Sequence, residues 1–161
     1  MHSFAKLLAY TNKYYQKRKI MKLNELKLEV DYFEFDEKYY HKVNPTPLKN
    51  PKLVSFNPLA CDLIKLDYEE CQTQEFLDFI NGSKILQGST PYAMGYAGHQ
   101  FGYFVPQLGD GRAINLGSVN NWHLQTKGSG LTRYSRQGDG RAVLRSSIRE
   151  YLMSEAMFGL G

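Results

Sequence analysis

The pentapeptide Gly-Asp-Gly-Arg-Ala occurs twice, at 109–113 and again at 138–142. Each copy combines two glycines, a carboxylate and a guanidinium. Glycine opens positive φ and lets a backbone approach a ligand closely. Successive N–H groups in such a turn form an anion-binding nest, and arginine adds a planar fork that matches phosphate. Between the copies, Lys127 closes an apolar stretch and precedes Gly128-Ser129-Gly130. After the second copy, Glu150 falls in a segment of helical period. Two nests, a strand lysine and a helix glutamate are the parts of a nucleotide phosphate site. Such a site works by positioning and charge neutralisation more than by covalent chemistry.

Several roles stay open on spacing alone. Glu150 has Lys127 as one candidate partner, after the strand-lysine and helix-glutamate pair of protein kinases. Arg145 or Arg149, on the same helix, are the others. Small and apolar neighbours (Val143, Ser146, Ser147, Met153, Met157) predict a partly buried Glu150, and a buried carboxylate needs a partner. Among the arginines, Arg112 abuts the first turn and is favoured for phosphate. Arg141, Arg145 and Arg149 form a stripe at four-residue spacing. Asp139 either caps the long helix or holds the second turn. His99 has no second metal ligand at useful spacing and reads as a structural hydrogen-bonding residue. Ile114 stands where a dinucleotide fingerprint needs its third glycine, and no Gly-x-x-x-x-Gly precedes Lys127, so neither a Rossmann nor a P-loop motif is present.

The elements that must position these residues follow from periodicity. Leu28 to Phe35 alternates and predicts a strand. Asn57-Pro58 starts a helix with Asn as N-cap and Pro first, and Leu59, Leu63 and Leu66 supply its apolar face. A second helix fits Gln74 to Ile80, ended by Asn81-Gly82. After Thr90, glycines crowd between strand-forming runs at 103–105, 113–116 and 122–126. This predicts an antiparallel meander whose first tight turn is Gly109-Asp110-Gly111. From Arg141 to Phe158, Leu144, Ile148, Leu152 and Ala156 recur every four residues and predict a long packed helix.

Composition narrows the rest. The chain has 161 residues and a net charge of +4. Lys6, Lys13, Lys17, Arg18 and Lys19 carry that excess, so the remainder is near neutral and a nucleic-acid partner is disfavoured. Residues 1–20 read as a basic, disordered or over-called extension ahead of a domain over 21–161. A mitochondrial presequence is the lesser alternative. No run is long and apolar enough to span a membrane. Cys61 and Cys71 show no metal-ligand spacing and read as reduced thiols in a cytoplasm.

Four blocks carry a family resemblance: Tyr96-Ala-Gly-His-Gln-Phe-Gly102, Pro106-Gln-Leu-Gly-Asp-Gly-Arg-Ala113, Leu124-Gln-Thr-Lys-Gly128, and Tyr134 through Glu150. Together they closely resemble the SelO (YdiU, selenoprotein O-like) family of pseudokinases. Thr126, Ser129, Arg133 and Ser118 depart from its common residues. The resemblance implies an α+β, kinase-like N-lobe: a twisted antiparallel sheet with a long helix of the αC type. It also implies protein adenylyltransferase activity, with ATP bound in a flipped orientation and AMP moved to Ser, Thr or Tyr hydroxyls of proteins. Residue by residue, it implies that Gly109, Gly111, Arg112, Lys127, Asp139 and Gly140 contact nucleotide and that Glu150 pairs with Lys127. The family's catalytic aspartate and its ligands for Mg or Mn belong to a C-terminal lobe absent from this chain. The expectation is therefore a segment inactive by itself. The alternative is a non-catalytic nucleotide- or partner-binding module.

Overall fold

A computed structural model describes residues 20–161, so the expected N-terminal extension lies outside the described residues but for Ile20. The chain is α+β. Its sheet has five antiparallel strands: β1 (Tyr40–Lys42), β2 (Tyr92–Gln100), β3 (Tyr103–Gly109), β4 (Ala113–Val119) and β5 (Trp122–Lys127). Among the described residues three α-helices accompany it: α1 (Pro58–Ile64), α2 (Gln74–Asn81) and α3 (Leu144–Leu160). Among the described residues, no helix is long and apolar enough to cross a membrane.

Local chemistry sets the helix ends. The Asn57 side chain accepts the Leu59 N–H at 2.9 Å and Pro58 takes the first helical position. Thr73 Oγ1 accepts the Phe76 N–H at 3.1 Å, and Gly82 at φ 79° closes α2. The apolar face predicted for α1 is corrected, because Leu59 is 58% exposed whereas Cys61 and Leu66 are buried. Lys65 takes the left-handed conformation and ends the helix, so Leu66 no longer follows its period. The core packs Ile114 and Leu116 of β4 against Leu23, Leu26, Cys61, Phe76 and Phe79.

The strand predicted at 28–35 does not form. Glu29 makes a single bridge to Ser118, and Tyr32–Glu34 coil into a 3-10 turn. The alternation there serves ring packing: Tyr32 stacks on Tyr92 at 5.1 Å, and Phe33 meets Tyr40 at 4.8 Å.

The order of strands differs from a simple meander. β2 and β3 form a hairpin whose turn, Phe101-Gly102, has φ of 53° and 83°. β4 and β5 form another through Asn120-Asn121, at 51° and 65°. Positive φ at both turn residues matches the twist of paired strands. Yet β3 and β4 do not pair with each other. Both lie along one edge of β2, and β1 lies along the other.

Finally, α3 begins at Leu144 rather than at Arg141, and none of its residues is buried. The expected packed helix is thus an exposed one. β4 is buried along nearly its whole length, and Ile114 is fully enclosed. Ile114→Ala is therefore expected to lower stability by about 3 kcal/mol, whereas Leu59→Ala changes it by less than about 0.5 kcal/mol. Urea melts of the two variants check this.

Candidate nucleotide-phosphate site

The first Gly-Asp-Gly-Arg is a strand insertion, not a hairpin turn. Gly95 pairs with Gly109 and Tyr92 with Asn115, so three steps along β2 face six along its partner. The surplus residues must satisfy their own backbone groups. Asp110 does this on the β2 side: its N–H donates to the Met94 carbonyl at 2.9 Å, and its Oδ2 accepts the Met94 N–H at 3.0 Å. The same oxygen accepts from Asn115 Nδ2 at 2.9 Å, and Asn115 Oδ1 accepts from Gln125 Nε2 at 2.9 Å.

The carbonyls of the insertion are taken as well. Thr132 Oγ1 donates to Asp110 O at 2.7 Å, Ser135 Oγ to Gly111 O at 2.6 Å, and Gly128 N–H to Arg112 O at 2.7 Å. The Tyr134 ring lies over the bulge: a Cβ on Gly109 would collide with it, and one on Gly111 would stand 2.9 Å from Tyr134 O. Neither glycine has a positive φ. The expected nest is corrected accordingly: the glycines at 109 and 111 make room for Tyr134. Sequence reasoning missed Asp110, Thr132, Tyr134 and Ser135 as parts of the site. The available signal was a cluster of short hydroxyl side chains just before the second repeat, the type that bonds nearby backbone.

The second repeat is built differently. Asp139 Oδ1 accepts the Arg141 N–H at 2.8 Å, so Asp139 holds the turn, and the N-cap of α3 is Val143. Gly140 takes φ 71°, and a Cβ there would collide with the Gly130 carbonyl. Arg141 Nη1 donates to Thr46 O at 2.7 Å and Gly128 O at 3.2 Å. These bonds keep Arg141 off the helix, which breaks the predicted Arg141–Arg145–Arg149 stripe.

Of the two remaining cations named above, Lys127 is exposed and Arg112 half-buried. Lys127 Nζ donates to Glu150 Oε2 at 2.7 Å, which chooses Lys127 over Arg145 and Arg149 as the partner. Both side chains are 44% exposed, so Glu150 is partly buried, as expected. The hydrogen bond from Lys127 holds the Glu150 carboxyl below the usual glutamate range. Slight desolvation opposes this, and the charges of Lys127, Arg112 and Arg149 add to it. Arg112 thus lies close enough for its charge to act on Glu150. Among the described residues, no side-chain hydrogen bond or ion pair involves Arg112. Lys127 also lines a cavity of about 390 Å3, which is mostly apolar (Phe56, Ile64, Phe76, Leu116) with Asn57, Gln125, Thr126 and Ser129 as its polar members.

A pinned backbone carrying an unpaired guanidinium, with an ion-paired lysine beside it, is anion-binding geometry. Comparison with known proteins gives it a context. The family model for protein adenylyltransferase SelO matches residues 22–161. The chain belongs to the SelO family. It is 51% identical over 144 residues to the protein nucleotidyltransferase YdiU of Myxococcus xanthus, covering 86% of this chain and 30% of that protein. The YdiU protein of Thiobacillus denitrificans is 50% identical over 143 residues, 86% of this chain and 29% of the relative. The chain thus spans about 30% of the length of the curated relatives it matches.

A carboxylate with a depressed folded-state pKa contributes stability above its unfolded value and loses it as pH falls through the folded one. The Lys127–Glu150 pair is therefore intact at neutral pH and lost in acid, below the ordinary glutamate range. Lys127→Met should raise the Glu150 pKa. Because the pair is half exposed, the melting temperature should barely change. A 13C titration of the Glu150 carboxyl with parallel thermal melts checks both expectations.

Proposed function

We propose that this chain is the nucleotide-holding, kinase-like N-lobe of an ATP-dependent protein adenylyltransferase. The carrying observation is the unpaired Arg112, mounted beside Lys127 on a bulge whose carbonyls at 110, 111 and 112 are all bonded. The guanidinium fork takes one phosphate and the lysine neutralises another. Family membership and the YdiU relatives, whose names state nucleotidyl transfer to or by a protein, support the same reading. Of the residues implied by the resemblance, Arg112 and Lys127 are the direct phosphate ligands here. Gly109, Gly111, Asp139 and Gly140 shape the backbone around them.

In the proposed reaction, a Ser, Thr or Tyr hydroxyl oxygen of a protein substrate attacks the α-phosphorus of ATP. A new P–O bond forms, the α–β bridging P–O bond breaks, and pyrophosphate leaves with the β and γ phosphates. The hydroxyl proton passes to a base outside this segment. Arg112 and Lys127 hold the triphosphate and offset its charge, while Glu150 fixes the position of the lysine. Transfer of this kind uses Mg or Mn to bridge phosphates. Among the described residues no three His, Cys, Asp or Glu side chains gather as a metal site. Asp110 and Asp139 are engaged with backbone N–H groups. The described residues therefore offer no site that fits the metal, and no step here passes through it. The free thiols of Cys61 and Cys71 suit a cytoplasmic setting.

By itself the chain should bind ATP without transferring AMP. Calorimetric titration should show Arg112→Ala and Lys127→Ala each weakening ATP about tenfold, or 1.4 kcal/mol. Arg141→Ala should instead lower the melting temperature. Joined to the C-terminal remainder of a SelO relative, the chain should pass label from α-labelled ATP, and none from γ-labelled ATP, to protein. Unchanged affinity in both variants would remove the phosphate assignment, and γ-label on protein would replace adenylyl transfer by phosphoryl transfer.

A further inference from the structure

The carboxylate of the first repeat satisfies the backbone of the bulge, but no role toward the two cations has been assigned to it. Asp110 Oδ2 accepts the Met94 N–H at 3.0 Å and Asn115 Nδ2 at 2.9 Å. It takes the place that a strand carbonyl would fill in an unbroken ladder. Two residues on stands Arg112, whose side chain has no bond of its own to fix it. Its location is therefore inherited from the backbone beneath it. That backbone is fastened at Asp110 to β2, at Gly111 to Ser135 and at Arg112 to Gly128.

We propose that Asp110 is a positioning residue for Arg112, its carboxylate locking the bulge so that the guanidinium is carried to the Lys127–Glu150 pair. Asn115 is the second anchor of that carboxylate, and Gln125 orients Asn115 in turn. The consequence for nucleotide rests on the function proposed above; the positioning itself does not.

Glu150 reports where Arg112 sits, because the arginine's charge helps to hold its carboxyl low. The sign separates positioning from bulk electrostatics. Removing the negative charge of Asp110, by itself, would lower the Glu150 pKa. Releasing Arg112 would raise it.

The experiment is a 13C titration of the Glu150 carboxyl in the 161-residue chain, as wild type, Asp110→Ala, Arg112→Ala and the double variant. The expected result is an upward move in each single variant, with no further move in the double. Asp110→Asn, which keeps an oxygen acceptor at that position but loses the charge, should abolish the upward move and leave the Glu150 titration at or slightly below that of the wild type. If Asp110→Ala does not fold, Asn115→Ala removes one anchor and should give a smaller upward move that vanishes in the Arg112→Ala background. An unchanged or lowered Glu150 pKa in the variant that folds, or effects that add in the double variant, would overturn the proposal. The same cycle read by ATP titration should show about tenfold weaker binding in Asp110→Ala only when Arg112 is present. Coupled titrations with unaltered ATP affinity would leave the positioning in place and discard the phosphate role of Arg112.

Discussion

Three surplus residues on one edge of β2 create the constraint on which the site depends. An inserted bulge leaves the facing strand with an N–H and a carbonyl that need partners, and buried backbone groups are costly without them. Here both belong to Met94, and Asp110 meets both, one with its own N–H and one with its carboxylate. With that exchange made, the bulge can turn its remaining carbonyls toward Thr132, Ser135 and Gly128. The loop after β5 is thereby fastened to the segment before β4. Lys127 ends β5 and Arg112 precedes β4, and Ala113 pairs with Lys127. The two cations are neighbours because the ladder and the bulge leave them no other arrangement.

Two copies of one pentapeptide consequently do different work. Both glycines of the first copy lie against Tyr134. In the second, Gly140 has a positive φ and packs on the Gly130 backbone. Asp110 bonds across strands, whereas Asp139 bonds two residues along its own chain. Arg112 keeps its donors, while Arg141 gives two of them to the Thr46 and Gly128 carbonyls. An arginine holding backbone carbonyls ties loops together; one without partners is available to an anion. Sequence identity between the copies thus conceals opposite electrostatic roles.

What the sequence disclosed follows the range of the interactions involved. Asn57 and Thr73 were legible because a cap reads only the next three residues. The strands at 103–105, 113–116 and 122–126 were legible as strand-forming runs between glycines, whereas β2 and its hairpin with β3 were not. The Lys127–Glu150 pair stood among the options because both groups had few other uses. The failures were non-local. Alternation at 28–35 recorded ring contacts with Tyr40 and Tyr92 rather than a ladder. Gly-Asp-Gly suits a tight turn as well as a bulge, and only the pairing of β3 with β2 decides between them. The role of Asp110 required knowing that Met94 stands opposite, which no spacing along the chain reveals.

The exposed character of α3 gives the Lys127–Glu150 contact its meaning. No residue of the helix is buried. Its side-chain bonds to the rest of the described chain are those of Glu150 to Lys127 and Glu155 to Asn57. A half-exposed ion pair is screened and adds little to stability, so neither contact can serve as an anchor in the energetic sense. What the first one does is geometric. It ties the lysine to the helix while leaving Nζ two further donors. The contact therefore fixes geometry rather than holding the fold together, and the fold is held by Ile114 and the cluster around it.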